Sequence, residues 1–108
     1  MDKEREQAER ALNFLSTTDQ EIVALERNYK DAEQVYKETK AAIIKCTDGA
    51  MELRKAEAET HSESKKAWAI AQDAWQAWKN LAMRRDSAER RWEDWRSINS
   101  ARRQGMTV

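Results

Sequence analysis

The spacing of apolar residues, which recur with a period of seven, constrains the fold of this chain more than any other feature. With Leu15 taken as position a of a heptad, the a and d positions hold mainly Ala, Leu, Ile, Tyr and Trp. The same phase runs from Ala8 to Leu53 and again from Ala67 to Trp95. Such a sustained pattern is typical of helices that pack side by side as in coiled coils. Between the two stretches the a and d positions become polar, at Glu57, Thr60 and Ser64.

Turn signals are scarce, because the chain has no proline and only two glycines. Asp48-Gly49, within CTDGAM, is the one internal signal of this kind, and glycine is favoured just past a helix end. The sequence therefore predicts an all-α fold, a single domain over residues 1–108 built as an antiparallel, coiled-coil-like helical hairpin. Its parts are a first arm over about 3–47, a turn at 48–49, a second arm over about 50–104 and a short C-terminal tail.

Two other boundaries stay open at this stage. Thr60 and Glu63, within THSE, have the spacing of a capping box and mark a rival position for the main turn. The stretch STTDQE, residues 16–21, is rich in residues that disfavour a helix interior. Residues 3–16 then form either a separate short helix or the start of a continuous one.

A turn centred on Asp48-Gly49 pairs residue i of the first arm with residue 97 − i of the second. Trp68, Trp75 and Trp78 then belong to a broad apolar face and are expected in the core. Trp92 and Trp95 instead extend past the start of the first arm, so they are expected to contact a second molecule. A two-helix hairpin also buries little apolar surface on its own. Both considerations predict either a homodimer in which two hairpins form a four-helix bundle, or a complex with a partner protein.

Arginines surround the two C-terminal tryptophans, and one of them interrupts the heptad pattern. Arg85 occupies an a position, and its mirrored position places Glu9 within reach. A charge of this kind often fixes register or marks a contact, so Arg85, Trp92 and Trp95 are the candidate partner or self-association interface. The candidate contacts to nucleic acid or to an acidic partner flank them: Arg84, Arg91, Arg96, Arg102 and Arg103.

The chain offers little material for catalysis. His61 is the only histidine and Cys46 the only cysteine, and they lie on opposite sides of the expected turn. A nucleophile and its base need hydrogen-bond reach, and a zinc site needs three or four ligands. We therefore expect no enzyme activity, no metal and no cofactor, with His61 an exposed helix residue and Cys46 a small buried one.

Charge is balanced overall but unevenly spread. Residues 1–60 carry 14 acidic and 10 basic side chains, whereas residues 79–108 carry 4 acidic and 8 basic ones. Such asymmetry can steer a partner, although zero net charge does not favour a dedicated nucleic-acid binder. The sequence shows no signal peptide and no long apolar run, so a cytoplasmic protein without a membrane segment is expected.

Two stretches, ALNFLSTTDQEIVALE (residues 11–26) and WEDWRSINSARRQG (residues 92–105), resemble the ends of small helical proteins encoded by tailed bacteriophages and prophages. The layout of the middle, TDG followed by AMELRKAEAE, is similar too. The group is largely uncharacterised and is often encoded near replication or recombination genes. The resemblance implies a protein of the bacterial host cytoplasm and supplies no site residues.

The resulting expectation is a non-enzymatic phage accessory protein that acts through protein contacts in DNA replication or recombination. Its partner would be a phage or host protein. Two alternatives stay open. One is an inhibitor of a host defence or repair protein. The other is a binder of single-stranded nucleic acid through the C-terminal Arg/Trp segment, since aromatic residues beside arginines can stack on bases.

Overall fold

A computed structural model describes residues 3–105 and shows an all-helical chain without strands in that range. Three helices follow one another: α1 (Lys3–Cys46), α2 (Met51–Thr60) and α3 (Ser62–Arg103). The all-α prediction is therefore confirmed. The last residues of the expected C-terminal tail, 106–108, lie outside the described part of the chain.

The chain leaves α1 at Cys46 and enters α2 at Met51, on either side of the Asp48-Gly49 signal. Gly49 has a φ of 111°, a conformation that side-chain-bearing residues rarely adopt. Its carbonyl oxygen accepts a hydrogen bond from Nε of Arg54 at 2.9 Å. Glycine is thus needed here for its backbone freedom, and an arginine from the first turns of α2 holds the connection.

The second arm is two helices instead of the expected continuous one, because α2 ends at Thr60 and α3 begins at Ser62. His61 alone separates them, with extended backbone angles (φ −63°, ψ 139°). The expected capping box does not form, since the Thr60 hydroxyl donates back to the Ala56 carbonyl at 3.0 Å. Instead Nδ1 of the His61 imidazole accepts the Glu63 N–H at 3.1 Å and caps α3. His61 is a half-buried helix cap and not the exposed helix residue that we expected.

The STTDQE stretch does not interrupt α1, so no separate helix forms over residues 3–16. Its hydroxyl groups donate to main-chain carbonyls one turn earlier in the same helix. Thr17 bonds the Asn13 carbonyl at 2.9 Å, and Thr18 bonds the Phe14 carbonyl at 2.6 Å. These back-bonds satisfy the hydroxyls within the helix, so the stretch continues α1 without leaving a polar group unpaired.

Burial along α1 and α3 follows the predicted heptad positions. Every a and d residue from Ala8 to Ile43, and from Ser64 to Trp95, is buried or half-buried. The pattern fails between the end of α1 and the end of α2. Cys46 is exposed, although we expected it to be buried. Leu53, at a d position, is 66% exposed, while Ala58, outside the a and d positions, is buried. The heptad phase therefore does not carry through α2.

Two compact units can be distinguished within the chain, and the single domain over residues 1–108 stays a prediction. The terminal unit combines Met1–Ile22 with Lys79–Val108, and the central unit is Val23–Trp78. Within the terminal unit, Arg102 pairs with Glu4 at 3.6 Å while Arg85 bonds Thr18 at 2.6 Å. Later residues of α3 thus meet earlier residues of α1, and the helices of this unit run antiparallel.

The central unit has its own antiparallel pairing. Tyr29 stacks on Trp78 with ring centroids 5.6 Å apart, and Lys40 forms an ion pair with Glu59. The mirror rule predicted Trp68 as the neighbour of Tyr29, so its register is wrong by about three turns at this point. The rule assumes a uniform helical rise on both sides of one turn. Residues 47–50 and His61 leave the helical path, so the assumption fails.

We predict that His61→Ala destabilises the fold by about 1 kcal/mol, the usual cost of losing a side-chain N-cap. His61→Asn keeps a short acceptor at the cap and is expected to lose much less. Urea unfolding followed by circular dichroism measures both differences. Equal losses in the two variants would contradict a capping role for the imidazole.

Candidate functional site

The terminal unit centres on the guanidinium of Arg85, which is mostly buried against α1. Its Nη1 donates to the Leu15 carbonyl at 2.8 Å and to the Thr18 hydroxyl at 2.6 Å, and its Nη2 bonds Asp19 at 2.6 Å. The Arg85 side chain is 15% exposed and the Asp19 side chain 66% exposed. The charge is thus turned toward a solvated carboxylate, while the inner nitrogen replaces water with main-chain and hydroxyl oxygens.

The heptad explains why Thr18 meets Arg85. Thr18 is a d residue of α1 and Arg85 an a residue of α3, so both lie at the contact between the helices. The Thr18 hydroxyl donates a hydrogen bond to the Phe14 carbonyl and accepts one from Arg85, which satisfies a polar group in a buried position. The expected contact with Glu9 is wrong, because Glu9 bonds Arg5 on the same helix at 3.1 Å.

Trp92 and Trp95 are half-buried and stack on each other, with centroids 5.6 Å apart and planes inclined by 28°. A surface concavity beside Trp95 is lined by Glu4 and Ala8 of α1 as well as by α3. The expectation that these tryptophans extend past the first arm is therefore wrong, since the first turns of α1 lie beside Trp95 and Glu4 pairs with Arg102 still further along α3. Their role at an interface with a second molecule stays a prediction.

The candidate arginines fall into two groups. Arg96 pairs with Glu93 at 3.3 Å, and Arg102 pairs with Glu4; Arg103 lines a neighbouring concavity. Arg84 behaves differently, because its guanidinium lies 4.9 Å from the centre of the Phe14 ring.

Arg84 and Arg91 share a concavity of about 410 Å³ with Arg10 of α1. The sequence did not single out Arg10 as a candidate site residue. Arg10 occupies a c position, and nothing in the pattern singles it out. A usable signal was that Phe14 and Arg84 both occupy g positions, which antiparallel helices bring to the same side.

An aromatic and ionic cluster organises the central unit. The Tyr29 hydroxyl donates to Glu33 at 2.6 Å, and Lys37 bonds the other oxygen of that carboxylate at 3.4 Å. The hydrogen bond to Glu33 raises the pKa of Tyr29. The pKa of Glu33 is lowered, first by the Tyr29 hydrogen bond and then by Lys37. The hydrogen bond between the Tyr29 hydroxyl and the Glu33 carboxylate is formed at neutral pH. It is lost as pH falls through the pKa of Glu33 or rises through that of Tyr29.

Trp68 and Trp75 lie outside the core that the sequence predicted for them, with 51% and 42% of their surfaces exposed. Ala67 and Ala71 fill the buried positions beside them. The tryptophans are seven residues apart, at successive e positions, and therefore share one side of α3. Large aromatic surface left in water on one side of a helix is typical of a contact site.

A concavity of about 440 Å³ adjoins Trp68 and is lined also by Tyr36, Glu59 and Lys65. Lys40 lies over the Tyr36 ring, 5.2 Å from its centre. The hydrogen bond to Glu59 is the main cause that raises the pKa of Lys40, so this ammonium stays charged beside the aromatic surface. The arrangement offers an apolar wall with fixed charges at its edge.

In the described part of the chain, no group of three or more His, Cys, Asp or Glu side chains is arranged to hold a metal ion. None of the helices within residues 3–105 is long and apolar enough to cross a membrane. No protein-family model matches the sequence, and comparison with curated proteins and with solved structures finds no similar one.

We predict that Arg85→Ala destabilises the protein by about 2 kcal/mol, because it removes charge-assisted hydrogen bonds to two partly buried oxygens. Arg90→Ala, at an exposed position five residues further along α3, is the matched control and is expected to change stability by less than about 0.5 kcal/mol. Thermal and urea unfolding of both variants provide the measurement. Similar stabilities for the two would show that the Arg85 bonds add nothing to the fold.

We predict that Glu33→Gln lowers the pKa of Tyr29, because the phenol loses an ionised acceptor that favours its protonated form. A Tyr36→Phe background leaves Tyr29 as the only tyrosine, so absorbance near 295 nm reports on it alone. Glu38→Gln in the same background is the control, since Glu38 bonds Gln34 instead. A Tyr29 titration unchanged by Glu33→Gln would refute the interaction.

Proposed function

We propose that this protein is a non-enzymatic interaction module that works as a homodimer, in which two helical hairpins associate into a four-helix bundle. The observation that carries the proposal is the pair of exposed tryptophans, Trp68 and Trp75, at successive e positions of α3. In a helix pair joined through a and d positions, the e positions lie at the edge where further helices pack. Tryptophan is among the residues most enriched at the interface positions that contribute most of the binding energy.

The charges near Trp68 suit a second copy of the same chain. Lys40 and Lys65 stand near Glu59 around the concavity beside this tryptophan, so both signs are present at one edge. An interface of two identical patches requires self-complementarity, which mixed charges around an apolar centre provide.

The biological setting rests on the resemblance of residues 11–26 and 92–105 to phage-encoded helical proteins. On that basis we propose that the dimer acts through contacts with a phage or host protein in phage DNA replication or recombination. Inhibition of a host defence or repair protein by occlusion is the alternative setting. An affinity pull-down from infected and uninfected bacterial cells, with a dimer-deficient variant as control, separates a phage partner from a host one.

The dimer is tested by sedimentation equilibrium of the intact chain. We predict that the natural protein sediments with twice the chain mass. For the double variant Trp68→Lys with Trp75→Lys, the dissociation constant of the dimer is expected to be at least tenfold higher, because charges replace the apolar contact. Met83→Lys is the control, since Met83 is 67% exposed and lies in the terminal unit.

The same experiment tests the C-terminal tryptophans as an interface. If Trp92→Ala with Trp95→Ala yields monomers while the Trp68 and Trp75 variant stays dimeric, the interface lies in the terminal unit and the proposed face is wrong. A natural protein that is monomeric at about 100 μM would refute the dimer itself, because stable dimers hold far below that concentration.

A further inference from the structure

Three arginines from two helices converge on one concavity in the terminal unit. Arg10 of α1 and Arg84 and Arg91 of α3 line it, and its volume is about 410 Å³. All three side chains belong to exposed residues. The remaining lining is Phe14, Ser87 and two buried alanines, Ala11 and Ala88.

No acidic side chain lines this concavity within the described chain. None of its three arginines has a carboxylate oxygen within 4 Å among residues 3–105, whereas Arg85, Arg96 and Arg102 each have one. Arginines gathered at one concavity without ion-pair partners repel one another, so the arrangement gains stability when an anion enters. Guanidinium groups favour carboxylates and phosphates, which they bind with two parallel hydrogen bonds.

The spacing of the arginines favours a helical ligand. Arg84 and Arg91 are seven residues apart at g positions of α3, which separates them by roughly 10.5 Å along the axis. Acidic side chains seven residues apart on a partner helix repeat at the same distance, and g positions are where charged residues pair between packed helices. The small Ala11 and Ala88 form a floor on which an apolar side chain of such a helix can pack.

Nucleic acid fits these observations less well. Affinity for a phosphate backbone grows with the number of phosphates neutralised, and three arginines provide few. The Arg84 guanidinium also covers one face of the Phe14 ring, which leaves less of the ring for a base to stack on. Acidic side chains at Asp86, Glu89 and Glu93 line a separate concavity on the same helix and would repel a long polyanion.

We propose that the Arg10, Arg84 and Arg91 concavity is a docking site for an acidic amphipathic helix of a partner protein. The ligand would place carboxylates seven residues apart against Arg84 and Arg91 and an apolar side chain over Ala11 and Ala88. The site lies in the terminal unit, and it does not depend on the dimer proposed through Trp68 and Trp75.

The test uses a synthetic helical peptide of about four heptads, with apolar a and d residues and glutamate at every e and g position. A matched peptide carries glutamine at the same e and g positions. We predict that the intact protein binds the glutamate peptide in a fluorescence anisotropy titration. We expect roughly tenfold weaker binding of the glutamine peptide and a loss of affinity as salt is raised.

Variants assign the binding to the concavity. Arg84→Gln with Arg91→Gln is expected to weaken glutamate-peptide binding at least about tenfold, and Arg10→Gln by a smaller factor. Arg96→Gln with Arg103→Gln removes the same charge elsewhere on α3 and is the control. Circular dichroism melts of each variant check that folding is retained.

Three results would overturn the proposal. The first is no binding of the glutamate peptide up to about 1 mM, the weakest affinity worth a docking site. The second is an equal loss in the Arg96 and Arg103 control. The third is tighter binding of a thymidine oligonucleotide that Arg84→Gln with Arg91→Gln abolishes, which would assign the concavity to nucleic acid. Sedimentation of the Arg84 and Arg91 variant shows separately whether the dimer persists.

Discussion

Arg85 makes the contact on which the terminal unit depends, because its guanidinium fixes the register of α3 against α1. A packed interface of alanines and aliphatic side chains tolerates sliding by one heptad, since the same residue classes recur every seven positions. A buried nitrogen that must meet one carbonyl and one hydroxyl does not tolerate it, because an unmatched partner would stay unsatisfied. The Thr18 hydroxyl and the Leu15 carbonyl therefore favour the observed alignment over one displaced by a heptad.

Alanine at the buried positions of α3 has a further effect, on where the aromatic surface lies. Ala67, Ala71 and Ala88 bury little area themselves, so the helix pair gains less from its own core than larger residues would give. The large side chains Trp68 and Trp75 stand beside that core instead of within it. The apolar surface of the central unit is consequently available to a second molecule, while its interior is thin.

Much of the fold could be predicted from the sequence, because helical periodicity is a local property. The heptad phase from Ala8 to Ile43 and from Ser64 to Trp95 agrees with burial, and Gly49 lies where the chain leaves α1. The register could not be predicted, since it depends on the path of residues 47–61 in space. For the same reason the sequence did not predict that Trp95 lies beside the start of α1, or that Arg10 shares a concavity with Arg84 and Arg91.

The sequence also could not predict which face of the helices meets solvent. A broad a, d and e pattern shows that a residue is apolar and near the contact, but it does not say whether the neighbour belongs to the same chain. For that reason Trp68 and Trp75 were expected in the core and lie at its edge. The phage setting and the identity of a partner stay predictions, because the periodicity of the sequence carries no information about either of them.

The two interruptions at residues 47–50 and at His61 also divide the chain into segments of unequal local stability. They isolate α2, ten residues long, whose one buried residue is Ala58. A helix of this length barely persists in water without tertiary contacts, and α2 has few of them. Opening α2 should cost less free energy than opening α1 or α3, so its amide protons should exchange with solvent first. The segment over residues 47–61, which contains α2, is thus the part of the protein best able to rearrange while α1 and α3 stay formed.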